Sequence, residues 1–383
     1  MTEATDLHRP DQPLRGIRVI EIGHSVAAPF CGQVLADLGA EVTKIENPDG
    51  GDDARQWGPP FIGETAAAFH SLNRNKRAIA VDLKDADERT KLEGLIKESD
   101  IVVHNMRPGL MERFELDAKT LCARYPRLIY CNLGAYGATG PLNRQTGYDP
   151  LMQAFSGIMS VTGEAGRPPV RVGPSIIDQG SGMWCVIGIL SALLGRAISG
   201  RGCIVDTSLF ETGLSWMTVP IANALASGKE PGKTGSETPM LAPYRAFPAR
   251  DRHVVIAAGN NNLFRRLCDT LGQPEWAQDD RFRDNASRIA NREVLNRIIS
   301  EVIVQQDADH WVTMLEKVGV PCAAVNSVSE VLMHPQTQAL GMLLDSGDER
   351  LGLIGTPLRF DGRRPELRTT APEAPKRGIE ERS

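Results

Sequence analysis

The chain has 383 residues, of which 41% are hydrophobic and 24% charged, with a formal net charge of −5. That length suits two or three domains with a large buried core, and the composition excludes a disordered or collagen-like chain. The negative balance leaves no broad basic surface for nucleic acid, so small anions would have to be met by local arginines and lysines.

Residues 17–22 (Ile-Arg-Val-Ile-Glu-Ile) alternate and are β-branched, which predicts a first strand. A turn over 23–29, a helix over 30–38 stopped by Gly39, and a second strand over 40–45 follow. This β-turn-α-β unit has the length of a Rossmann-type half. Further strands are predicted over 79–83, 101–104 and 128–133, with a charged helix over 86–98. Alternation of this kind implies a parallel, doubly wound α/β sheet. The first turn, Gly23-His24-Ser25-Val26-Ala27-Ala28-Pro29, lacks the GxGxxG fingerprint. Glu46 alone, in the place of a ribose-binding acid, does not make a nicotinamide site, so no NAD is expected.

An apolar helix is predicted over 183–198, and its uncharged stretch ends before Arg196, too short to cross a bilayer. Residues 226–240 are rich in Gly, Lys, Pro, Thr and Ser and read as a linker. A hairpin over 244–247 and 253–257 follows, then helices near 262–271, 288–305 and 307–318, which together make a smaller α+β unit. The domain reading is a large Rossmann-like domain over 1–225, a small domain over 226–324, and a return to the large domain over 325–383. The last twenty or so residues are charged and Pro-containing, and are expected to be frayed.

Seven cysteines stand at 31, 122, 131, 185, 203, 268 and 322, with no CxxC pair. No Cys/His cluster has zinc spacing, and His24, His70 and His104 share no metal-ligand spacing, so no metal is expected. Buried free thiols suit a reducing cytoplasm, the expected location. The N-terminal residues 1–13 carry no apolar signal-like stretch.

Asp178 is the most informative residue. The apolar run Val170-Arg171-Val172-Gly173-Pro174-Ser175-Ile176-Ile177 ends in this lone carboxylate, just before the long apolar helix. Asp is a favoured helix N-cap, and a carboxylate there would be kept ionised by the helix end. The same ionised group could act as a nucleophile.

Three segments carry a resemblance. They are Leu14 to Glu46, with Leu35-Ala36-Asp37-Leu38-Gly39-Ala40-Glu41-Val42; Asn73-Arg74-Asn75-Lys76-Arg77-Ala78-Ile79-Ala80-Val81-Asp82-Leu83-Lys84; and Gly147-Tyr148-Asp149, followed by Gly157 and Asp178. In order and spacing the chain resembles the class III CoA-transferase family, over about residues 14 to 360. Gly51-Asp52-Asp53-Ala54-Arg55-Gln56-Trp57-Gly58-Pro59-Pro60-Phe61 and Ala258-Gly259-Asn260-Asn261 look most like the succinate–hydroxymethylglutarate type. The resemblance implies an interlocked homodimer that moves CoA from an acyl-CoA to a carboxylic acid. It makes Asp178 the catalytic carboxylate, supported by Tyr148 and Asp149, with Gly259-Asn260-Asn261 as a covering loop that offers backbone N–H groups. Ser25, Val26, Ala27, Val81, Lys84, Asn105, Met106 and Arg113 match positions around coenzyme A. Asn47 stands where some members carry an arginine. The racemases of the family, the alternative reading, carry a His where this chain has Tyr148 and an acid where it has Asn261. Tyrosine is a poor base at neutral pH and Asn is none, which disfavours racemisation. Arg167 and Arg171, around Pro168-Pro169, are candidates to hold the distal carboxylate of a dicarboxylic substrate by bidentate bonding.

Overall fold

The computed structural model describes residues 10–375, which form two compact units. The first holds the residues up to Ile158, Arg171–Ala226 and those from Gln336 on; the second holds Met159–Val170 and Ser227–Pro335. The sequence reading put 159–170 in the large domain and the return near 325; the observed unit boundaries fall elsewhere.

The first unit is built on a six-stranded sheet. Its strands are β1 (Arg18–Ile22), β2 (Glu41–Glu46), β3 (Lys76–Ala80), β4 (Ile101–His104), β5 (Ile129–Gly134) and β6 (Ile204–Ser208). All neighbours pair in parallel, in the order β3-β2-β1-β4-β5-β6. This is the dinucleotide-fold order, whose direction reverses between β1 and β4. Central strands of such a sheet are covered on both faces, and Ile101, Val102 and Val103 are accordingly fully buried in succession.

Two strands depart from expectation. β3 starts at Lys76, three residues before the predicted strand, because Lys76 is a buried ion-pair partner of Glu21 rather than a surface charge. β6 was not expected at all.

The Ile176–Ser199 helix packs against the Ala27–Asp37 helix, and Gly182 makes that approach possible. A Cβ there would lie 2.7 Å from the Ala27 carbonyl oxygen and 2.9 Å from the Phe30 ring. The helix has the length and hydropathy to cross a membrane, contrary to the sequence reading, but one face is core. Cys185 and Ile189 are fully buried, and Arg196 pairs with Asp100 at 2.9 Å. The other face leaves Met183, Trp184, Ile187, Leu194 and Ile198 exposed.

The C-terminal segment corrects a second expectation. Residues 368–373 of that stretch are held to the sheet unit rather than frayed, while 376–383 lie outside the described residues. Asn75, at φ 61°, accepts from the backbone N–H groups of Arg368 and Thr369, and Arg55 donates to the carbonyls of Pro372 and Glu373. Ala371 packs with Ala54 and Phe69. Its partners are polar side chains of distant segments, which a local reading of composition does not see.

The second unit carries an antiparallel sheet of Tyr244–Pro248, His253–Ala257 and Cys322–Ala324. The first two form the expected hairpin. The predicted 288–305 helix is two helices, Asn285–Ala290 and Arg292–Ile303, broken at Asn291. Phe247, Ile256, Phe264, Leu267, Ile299 and Leu315 make up much of the core.

Candidate active site

The crevice at the β1/β4 reversal is where ligands of such sheets bind. The loop after β1 holds Ser25 and Val26 and runs into the helix that Ala27 opens; the loop after β4 holds Asn105 and Met106. Asn105 stitches the two, accepting from the His24 N–H at 3.0 Å and donating to the His24 carbonyl at 2.9 Å. Ser25 stands at φ 69°, a left-handed conformation that costs a non-glycine residue of the order of 1 kcal/mol. Asp52 holds it there by accepting from the Ser25 N–H at 2.9 Å. The Ala27–Asp37 helix has no side-chain cap and no acid in its first turn, so its opening amides remain suited to an anion.

A buried ion network supports this turn. Glu21 and Lys44 are register partners on β1 and β2, and pair at 2.9 Å. Lys44 also reaches Asp52 at 2.8 Å and the Gly23 carbonyl at 2.7 Å; Lys76 on β3 pairs with the other Glu21 oxygen at 2.8 Å. Two cations face two anions, so the cluster closes near neutrality. Burial opposes the charge of Lys44, but Glu21 and Asp52 hold it above the ordinary lysine value. Burial draws Lys76 down to about 8 despite Glu21. The sequence hid this network because its members come from four separate segments, 18–22, 41–46, 52 and 76–80, which only the fold brings together. Glu46 is likewise engaged: Arg55 grips it with bonds of 2.8 and 2.7 Å, which removes it as a ribose ligand.

Val81 is buried beyond the end of β3, and Lys84 and Arg113 are exposed. Arg113 lies over the neighbouring Phe114 ring. Met106 is partly buried and donates its N–H to His104 Nδ1. Burial pushes His104 down to about 4, so it stands neutral, bonded to Asn132.

Asp178 lies in the first turn of the Ile176–Ser199 helix but is not its cap. The opening amides are taken by Asp149, whose Oδ2 accepts from the N–H of Ile177 at 2.8 Å and of Asp178 at 3.2 Å. Gln153 donates to Asp149 Oδ1 at 2.6 Å. Asp149 is therefore a buried, fully satisfied carboxylate, and it caps a helix 28 residues further along the chain. The Asp178 side chain makes no hydrogen bond or ion pair among the described residues. Burial, and then the Asp149 charge, push Asp178 up to about 7. This overturns the expectation that the helix end keeps it a ordinary ionised acid: Asp149 occupies the donors that would have done so. Asp178 shares its helix face with Gly182, four residues on, the residue that meets Ala27. Tyr148, just before Asp149, is exposed.

The remaining candidates lie apart in the chain. Arg171 is exposed and donates through Nη1 alone, to the carbonyls of Val172 and Gly173 at 3.3 and 2.6 Å, so its Nε and Nη2 have no partner among the described residues. Arg167 is exposed, and its carbonyl accepts from Lys233 in the second unit. Gly259 ends the His253–Ala257 strand segment, and Asn260 caps the Asn261–Thr270 helix by accepting from the Leu263 N–H at 2.9 Å. Among the described residues no group of three His, Cys, Asp or Glu side chains could hold a metal ion.

The model of CoA-transferase family III matches residues 14–377. The chain belongs to CoA-transferase family III. It is thus an enzyme of CoA transfer. It is 38% identical over 380 residues to an acetyl-CoA:oxalate CoA-transferase of Acetobacter aceti, covering 99% of this chain and 97% of the relative. It is 36% identical over 379 residues to a succinate–glutarate CoA-transferase of Agrobacterium fabrum, covering 95% of each. A CaiB/BaiF family protein of Brucella suis superposes with a TM-score of 0.87 at 38% identity, over 96% of this chain and 97% of that one.

Proposed function

We propose that this CoA-transferase moves CoA from an acyl-CoA, succinyl-CoA first among candidates, to a small dicarboxylic acid, with Asp178 as the covalent carrier. The observation that carries the mechanism is the Asp178 carboxyl: without a side-chain partner, beside the satisfied Asp149, and raised to about 7. A carboxylate with a raised proton affinity is a better nucleophile once ionised, and a value near 7 leaves much of it ionised at neutral pH. The dicarboxylate class rests on relatives whose names pair succinate with glutarate.

Asp178 attacks the thioester carbonyl, giving a mixed anhydride and releasing the CoA thiolate. The thiolate attacks the aspartyl carbonyl, which forms an aspartyl-CoA thioester and frees the donor acid. The acceptor carboxylate attacks that thioester, giving a second anhydride and the thiolate again. Attack of the thiolate at the acceptor carbonyl yields the new acyl-CoA and restores Asp178. Acyl bonds of similar energy are exchanged throughout, so no ATP or metal is required. The anhydrides must be kept from water, and by resemblance Gly259-Asn260-Asn261 serves as cover and as source of N–H donors. The turn at Ser25, Val26 and Ala27, with Asn105 and Met106, would receive the CoA arm, and Lys84 and Arg113 its phosphates.

A homodimer is part of the proposal. The exposed row Met183, Trp184, Ile187, Leu194 and Ile198 on one helix is the apolar face that supports it. Seven free thiols support a cytoplasmic location. The test is incubation with succinyl-CoA and a panel of carboxylic acids, with new thioesters read by mass. Thioesters of dicarboxylic acids are expected. Deuterium entering the α-carbon of a 2-methylacyl-CoA without any free acid would favour the racemase reading instead.

A further inference from the structure

Arg288 is completely buried in the second unit and forms no ion pair among the described residues. Burial lowers its affinity for the proton, with Asp284 the main opposing charge. A guanidinium kept in a core without a carboxylate is rare enough to call for a reason. Four hydrogen bonds engage all three of its nitrogens. Nε donates to the Ala242 carbonyl at 2.7 Å, Nη1 to the Phe282 carbonyl and to Asn261 Oδ1, both at 3.0 Å, and Nη2 to the Gly259 carbonyl at 2.7 Å. The Phe264 ring covers it at 4.7 Å.

Two of these acceptors are the two ends of Gly259-Asn260-Asn261. A planar trans peptide points its C=O and its N–H in opposite directions. Drawing the Gly259 carbonyl inward onto Arg288 therefore turns the Asn260 N–H outward, and that N–H has no acceptor among the described residues. Gly259 is fixed from the other side by Leu241, since a Cβ at 259 would lie 3.0 Å from the Leu241 Cβ. Asn285, on the same short helix as Arg288, ties down the segment before Leu241 and after it, through the Met240 carbonyl and the Ala242 N–H.

We propose that Arg288 is a positioning residue for CoA transfer, which presents the Asn260 N–H to the acyl oxygen by holding the Gly259 carbonyl and the Asn261 amide inward. This rests on the reading of the loop as the cover of the acyl intermediate. It also gives a reason for an amide at 261: an acid there would pair with Arg288 and rebuild the loop around a salt bridge.

The test compares Arg288→Lys and Asn261→Ala with the unaltered enzyme, using succinyl-CoA with and without an acceptor acid. Arg288→Lys keeps the charge but loses the fork. It should lower kcat roughly 10²-fold, the scale of a misplaced catalytic group, and leave KM for the acyl-CoA within about threefold. Hydrolysis of acyl-CoA relative to transfer should rise in both variants, because a loosened loop admits water. Asn261 is exposed, so Asn261→Ala tests the idea even if Arg288→Lys does not fold. Activity that falls only with the folded fraction, at an unchanged ratio of hydrolysis to transfer, overturns the proposal. Asp178→Ala run in parallel separates the two ideas. If it is inactive while both loop variants behave as the unaltered enzyme, only the role of Arg288 falls. If it transfers normally, the carrier reading itself falls.

Discussion

The first unit holds acids in two contrasting ways. Around the β1–β3 strands, Glu21 and Asp52 each meet a lysine at 2.8 to 2.9 Å, and the lysines are as buried as they are. At the mouth of the Ile176–Ser199 helix, Asp178 is half-buried beside another acid and has no cation partner among the described residues. Paired burial fixes geometry, here the Ser25 turn. A carboxyl left unpaired beside a second acid stores chemical potential, and stability is given up for it.

The largest effect should come from breaking the unpaired site. Asp178→Ala should lower transfer by roughly 10³-fold or more, as loss of a nucleophile does, while CoA binding by calorimetry persists. Retention of a tenth of the activity would contradict the role given to Asp178. Breaking the paired site should instead strike stability. Lys44→Met strands Asp52 and leaves Glu21 with Lys76 alone, and should cost about 3–5 kcal/mol in denaturant unfolding. A loss below about 1 kcal/mol would mean that water enters the cluster, and the contrast between the regions would fade.

The pH dependence sharpens the comparison. Transfer at limiting acyl-CoA should rise with pH through about 7 as Asp178 ionises. Asp149→Asn removes the neighbouring charge and should move that midpoint down by roughly half a unit to one unit. An unmoved midpoint would leave burial as the whole cause. The smallest effect is thermal. The folded value of Asp178 lies above that of an ordinary aspartate, about 3.9, so the folded state binds the proton more tightly. Stability from this group is therefore lost as pH rises from about 4 to about 7, and the penalty is complete above that. Asp178→Asn should raise the Tm at pH 8 by a few degrees and leave it nearly unchanged at pH 4.

Much of the fold was legible. Apolar alternation marked β1, β2, β4 and β5 to within a residue, and the linker and hairpin of the second unit were marked by turn residues and β-branched runs. Legibility failed where polar residues are interior. Lys76 displaced the start of the predicted strand to three residues past that of β3, and Asn75 and Arg55 hold a C-terminal segment whose composition suggests disorder. At the site, the sequence put Asp178 ahead of an apolar helix over 183–198, whereas the helix starts at Ile176 and Asp178 lies in its first turn, in an environment the sequence misjudged. Nothing local says that Asp149 arrives to take the helix amides. Arg288 gave no signal at all, since a lone arginine in a polar helix reads as a surface residue.

The most direct measurement is to trap the carrier. The enzyme would be incubated with an acyl-CoA and no acceptor acid, quenched with hydroxylamine or borohydride, and its peptides mapped by mass. Modification at Asp178 alone, growing with pH through about 7, is the expected result. Label at Asp149, or turnover with no modified carboxylate, would contradict the account.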